Sequence, residues 1–140
     1  MADSPTSVLR RFYEGVNAGE HVSVIDEIVS EDLVEHESFP GVEPSKEGVK
    51  QVFSAFRSAF PDFHIEVHET LDDGDLGCAR IVSTGTHEGE FLGIPATGNR
   101  IELETIDIIR VRDGKAVEHW GLSDGLAMMV QLGVIEPPSA

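Results

Sequence analysis

The chain has 140 residues, 40% hydrophobic and 26% charged, which suits a single domain with a substantial core. Its 26 acids against 10 Lys and Arg give a formal charge of −16, a field that repels phosphate backbones and anionic lipid, so nucleic acid and membranes are not expected partners. No apolar run approaches the roughly 20 residues of a membrane span, and the start MADSPTSV lacks a signal-peptide pattern. A lone cysteine, Cys78, builds neither a disulfide framework nor a zinc site, which points to the cytoplasm.

Ser4-Pro5 reads as an N-cap followed by proline at the first helical position, and Leu9, Phe12, Tyr13 and Val16 then share one helical face. Asn17-Ala18-Gly19 ends that helix, and a short second one carries Val24, Ile25, Ile28 and Val29. Residues 32–39 are expected to be extended, with Val34 and His36 on one side and Leu33, Glu35 and Glu37 on the other. After the Pro40-Gly41 break, Ser45 caps a third helix with the stripe Val49, Val52, Phe53, Phe56 and Phe60, which Pro61 ends.

The period then changes from 3.6 to 2. Phe63, Ile65, Val67 and Leu71 alternate with His64, Glu66, His68 and Thr70, a strand with one wet face. A turn at residues 72–75 leads to a strand over 76–86, and a glycine-rich loop over 87–99 leads to a long strand over 100–112. Asp113-Gly114 is a hairpin turn, 115–122 its second strand, and 123–132 a last short helix ended by Gly133. Helices followed by a meander of antiparallel strands predict an α+β fold, with the helices packed on one face of a curved sheet. Such a sheet encloses a cone-shaped cavity, the natural place for a ligand.

The loop Gly85-Thr86-His87-Glu88-Gly89-Glu90-Phe91-Leu92-Gly93-Ile94-Pro95-Ala96-Thr97-Gly98 resembles the signature loop of the SnoaL-like polyketide cyclases. So does Ile109-Arg110-Val111-Arg112-Asp113-Gly114-Lys115-Ala116-Val117-Glu118-His119-Trp120, followed by Asp124 and by Gln131-Leu132-Gly133; Ala59-Phe60-Pro61-Asp62 fits the same family. The resemblance covers most of the chain. It implies the cone-shaped nuclear transport factor 2-like fold, assembly as dimers or tetramers, and ring closure by intramolecular aldol condensation without metal or cofactor. Relatives on this fold hydroxylate polyketides or only bind ligands.

Aldol closure needs a base to take a proton beside a carbonyl and an acid to protonate the oxygen under attack. Asp124, among Leu122, Leu126, Met128 and Met129, matches the acid/base aspartate of the cyclases, and it is also placed to cap the last helix. His119 and Trp120 alternate on their strand, so one faces the cavity and the other packs outward. The resemblance also implies a sheet histidine near the aspartate; Asp107 lies near that place. His36 fits a polar position at the cavity mouth or an ordinary half-buried hydrogen bond. Arg80, in a central strand, reaches a substrate carbonyl, pairs with an acid or faces water.

Metal is not expected: the six histidines are scattered, and His64 and His68 on a strand stand roughly 13 Å apart. No phosphate-cradling or dinucleotide-binding glycine motif is present. Three readings follow: a cofactor-free cyclase with Asp124 and His119 as catalysts and His36, Trp120, Asp107 and Arg80 around the ligand, a small-molecule binder, or a cofactor-independent hydroxylase. Apolar residues on both faces of strands 100–112 and 115–122 predict a homodimer or homotetramer through the exposed sheet.

Overall fold

A computed structural model describes residues 4–137; residues 1–3, part of the start read as lacking a signal-peptide pattern, lie outside the described residues. Helix α1 (Pro5–Asn17) begins as expected, with the Ser4 hydroxyl accepting a hydrogen bond from the Ser7 amide. Helix α2 (His21–Ile28) gives way directly to strand β1 (Val29–Glu35), so Val29 opens a strand instead of extending the helix. Ser45 caps α3 (Lys46–Ala59) through the Gly48 amide at 3.1 Å. Strands β2 (His64–Asp73), β3 (Leu76–Thr86), β4 (Arg100–Arg112) and β5 (Lys115–Ser123) follow, and α4 (Gly125–Gln131) closes the described chain.

The five strands form one curved open sheet in the order β1-β5-β4-β3-β2. β2 to β5 make the expected antiparallel meander, joined between β4 and β5 by a turn in which Asp113 and Gly114 both take positive φ (52° and 75°). That is the two-residue hairpin geometry an Asp-Gly pair favours. β1 departs from the meander. It runs parallel to β5, with Val34 opposite Glu118 and Glu35 opposite His119.

The core lies between α1, α2 and the inner face of β3 and β4, where Ile25, Phe60, Ala79 and Ile101 are fully buried. β2 follows its alternation only to Val67. A register shift between Val67 and Glu69 reverses the parity, so Leu71 turns to the outer face and is 71% exposed rather than packed with Ile65. The α3 stripe of Val49, Phe53 and Phe56 is only half-buried, because it faces an internal cavity instead of a filled core. Loop 87–99 is pinned by His87: its backbone pairs with Asn99 and Gly98 at 2.8 Å, and its Nδ1 meets the Thr97 hydroxyl at 2.9 Å. This holds Phe91 and Leu92 against the cavity.

Candidate functional site

The cavity has a volume of about 290 Å³ and lies between the inner sheet face and α1 and α3. Its wall is largely apolar, with a cluster of phenylalanines: Phe12 packs edge-on to Phe53 with ring centres 4.9 Å apart, and Phe56 lies 5.0 Å from Phe91. Exposed lining residues Glu43, Pro44, Leu92 and Gly125 mark its mouth. Such a slot suits a flat, apolar molecule.

One wall is polar. Because β1 runs parallel to β5 and, after a register shift between Val29 and Val34, pairs Glu35 with His119, these two inward-facing residues stand side by side. Glu35 Oε1 is 2.6 Å from His119 Nδ1, and Asp107 Oδ1 on β4 is 2.8 Å from His119 Nε2. The Tyr13 hydroxyl on α1 donates to Asp107 Oδ2 at 2.7 Å. The result is a continuous chain, Glu35–His119–Asp107–Tyr13, running from the edge of the sheet into the core.

Its charges follow from its neighbours. Burial disfavours a charged imidazole, but the hydrogen bonds and charges of Asp107 and Glu35 outweigh it, and the pKa of His119 is pushed up to about 10. His119 is therefore an imidazolium at neutral pH, held between two carboxylates. Tyr13 is driven far upward by burial and then by the Asp107 charge, so it stays a phenol and a donor. Glu37, the next inward residue along the chain, is also raised, chiefly by burial; the His119 cation opposes this, and Asp107 and Glu35 add to it.

Atoms of Glu35, Glu37 and His119 that could bind a cation lie within 4.8 Å of one another. Both imidazole nitrogens are already engaged by carboxylates, and the histidine holds its proton tightly. As built, the cluster stores a proton.

A family model of SnoaL-like polyketide cyclases matches residues 7–132. The chain belongs to the SnoaL-like polyketide cyclase family. The aklanonic acid methyl ester cyclase DnrD of Streptomyces peucetius is 31% identical over 131 residues, 90% of this chain and 88% of that protein. The DauD cyclase of the same name, from Streptomyces sp. strain C5, is 32% identical over 131 residues, covering 90% and 80%. Among solved structures, IdmH of Streptomyces antibioticus, a candidate polyketide cyclase, superposes with a TM-score of 0.81 at 34% identity, covering 94% of this chain and 99% of that one. The two curated relatives are named as cyclases, consistent with an enzyme of the lyase/isomerase type, and the SnoaL-like chain has the nuclear transport factor 2-like fold.

Within this SnoaL-like frame, His119 and Asp107 line the cavity and are bonded to each other. The resemblance implies a sheet histidine near Asp124, with Asp107 near its place; the histidine paired with Asp107 on β4 is instead His119 on β5. Asp124 stands elsewhere: it is exposed, and its Oδ1 accepts the Ala127 amide at 3.1 Å as the N-cap of α4. His36 faces the outer side, stacked on Trp120 with ring centres 4.9 Å apart and bonded to Glu118 at 2.7 Å. Arg80 is on that outer face too, paired with Glu69 at 2.7 Å and Glu104 at 3.3 Å.

The residues that sequence reading passed over are Glu35, Glu37 and Tyr13. The alternation of residues 33–37 placed both glutamates opposite Val34 and His36, and that signal is correct. What selects the glutamate side as the inner one is the pairing of β1 with β5. Among the described residues, no helix is long and apolar enough to cross a membrane.

Proposed function

We propose that this protein is a cofactor-independent cyclase that closes a ring in an aromatic polyketide ester by an intramolecular aldol reaction. The observation that carries the reading is the Glu35–His119–Asp107–Tyr13 chain opening into a phenylalanine-walled cavity. Glu35 Oε1 is occupied by His119 and by the Glu37 amide at 2.9 Å, while the carboxyl group lines the cavity. Its remaining oxygen, Oε2, is the base that takes the acidic proton between two substrate carbonyls. The imidazolium beside it stabilises the enolate, as a fixed charge in a dry site does far better than water. Asp107 and Tyr13 hold that imidazolium in place from behind. Similarity to DnrD and DauD supports aklanonic acid methyl ester, or a close analogue, as substrate.

The test is incubation with aklanonic acid methyl ester, followed by chromatography and mass spectrometry. A product of unchanged mass with altered absorbance is expected, and Glu35→Gln should lower its rate by roughly 10²–10⁴. Tight binding with the compound recovered unchanged at stoichiometric protein would make the chain a binding protein instead.

The outer sheet face supports a symmetric homodimer. Leu71, Ile106 and Leu122 are 71%, 47% and 80% exposed there, flanked by the paired charges of Arg80, Arg110, Glu104 and Glu118. A face that carries both signs around an apolar stripe is complementary to a second copy of itself. We place the working protein in the cytoplasm, where a lone thiol, Cys78, stays reduced.

A further inference from the structure

The proton chain supplies a base and a fixed positive charge but no donor for the second half of an aldol closure. Both nitrogens of His119 are bonded to carboxylates, and Tyr13 spends its proton on Asp107 at the buried end. The oxygen of the attacked carbonyl still has to receive a proton. Glu37 stands where that donor is needed. It lines the cavity two residues after Glu35 on the same face, and among the described residues its carboxyl group has no hydrogen-bond partner.

The backbone of β5 makes room for it. A Cβ placed on Gly121 would lie 2.1 Å from Glu37 Oε2, 2.8 Å from its carboxyl carbon and 2.9 Å from His119 Cε1. Gly121 faces inward, between His119 and Ser123 on its strand, so the missing side chain is the slot in which the Glu37 carboxyl rests against the imidazolium edge. Every other residue type would fill it. The groups facing Glu37 are Glu35 from its own segment, His119 from β5, Asp107 from β4 and, more distantly, Tyr13 from α1. Two glutamates in unlike surroundings, one bonded to an imidazolium and one unbonded, are a base and an acid by the usual logic of such pairs.

We propose that Glu37 is the general acid of the closure, seated by Gly121; this rests on the cyclase reading above. Glu35 Oε2 takes the proton from the carbon between the two carbonyls. The enolate carbon attacks the second carbonyl carbon, a carbon–carbon bond forms, and the electron pair of the broken C=O π bond moves onto oxygen. That oxygen takes the Glu37 proton and becomes the product hydroxyl. Glu35 is left protonated and Glu37 ionised, and with ligand atoms within 4.8 Å the proton returns from one to the other without any co-reactant.

Three variants test this by two readouts. In the cyclisation assay Glu37→Gln should lower kcat by roughly 10²–10⁴ with KM within about threefold, since the amide keeps the shape but has no proton to give. Gly121→Ala displaces the flexible end of Glu37 and presses more lightly on the edge of the His119 ring, so the fold should hold while kcat falls roughly 10- to 100-fold. The second readout needs no turnover: fluorescence titration with 2-acetylnaphthalene, a flat ketone that can only accept a hydrogen bond, against naphthalene. The wild type should prefer 2-acetylnaphthalene, and Glu37→Leu should lose at least about tenfold of that preference while binding naphthalene as before. An inactive wild type that keeps a Glu37-dependent preference would end the cyclase reading and leave the donor assignment standing. Glu37→Gln turning over within threefold of wild type would overturn the proposal. So would a wild type that does not distinguish the two probes, or a Glu37→Leu variant that distinguishes them equally well.

Discussion

Asp107→Asn removes one of the two carboxylates beside His119 while keeping the size of the side chain. The imidazole stands at about 10 against an ordinary 6.5, a preference for the cation worth on the order of 5 kcal/mol. Burial works against that preference, so the two carboxylates together supply more than the net figure. With one gone, burial still opposes the cation in full, and His119 should titrate well below the wild-type value. The asparagine also faces two donors, His119 Nε2–H and Tyr13 O–H, with a single acceptor oxygen and an amide group that can only donate. One buried donor is left unpaired, and the fold should lose about 2–4 kcal/mol at pH 7.

A folded-state pKa raised above its unfolded value contributes stability that is fully present below about 6.5 and is lost as pH rises through about 10. Wild-type stability should therefore fall between pH 7 and pH 10, and the variant, with its smaller shift, should fall less. The gap between them narrows at alkaline pH. Histidine NMR titration gives the first quantity, and guanidinium unfolding at pH 7 and pH 10 gives the second. A variant imidazole within half a pH unit of the wild-type value, or a wild type equally stable at both pH values, would refute the two-carboxylate account.

Asp124→Asn should keep both turnover and fold, because asparagine caps a helix as well as aspartate; Asp124→Ala should cost about 1 kcal/mol in chemical unfolding and leave kcat within about twofold. A Leu122→Glu, Ile106→Lys double variant should run as a monomer in light scattering where the wild type runs as a dimer, with the cavity-facing chemistry unchanged. Phe56→Ala removes a ring that touches Phe60, Phe63 and Phe91, and should raise KM about tenfold while costing roughly 2–3 kcal/mol of stability. An unchanged KM would mean that the phenylalanine wall is not where the ligand lies.

Local chemistry made most elements legible. Ser4-Pro5, Ser45 and Asp113-Gly114 each act within a few residues, so caps and turns fall where the sequence puts them. The misjudged places are non-local. Leu71 was assigned to the core because one extra residue in β2, which changes the face of everything after it, leaves no mark in composition. The site divides in the same way. His119 and Asp107 were named from a strand pattern and a resemblance, but Glu35 and Glu37 needed the knowledge that β1 lies beside β5. His36 carried the more conspicuous side chain for chemistry and stands on the face that packs against Trp120.

The parallel pairing of β1 and β5 also has a consequence for how the molecule comes into being. Glu35 and His119 are 84 residues apart in sequence, and closing so long a span is a slow, entropically costly event that the chain completes only with its other strands in place. During synthesis the glutamates leave the ribosome long before their histidine. Until β5 docks, the two carboxyl groups stand on an uncovered strand with no cation between them, and the growing chain holds no reactive centre. In the proposed mechanism the proton chain is complete only once the last strand has docked, so assembly of the sheet and the onset of activity would be one event.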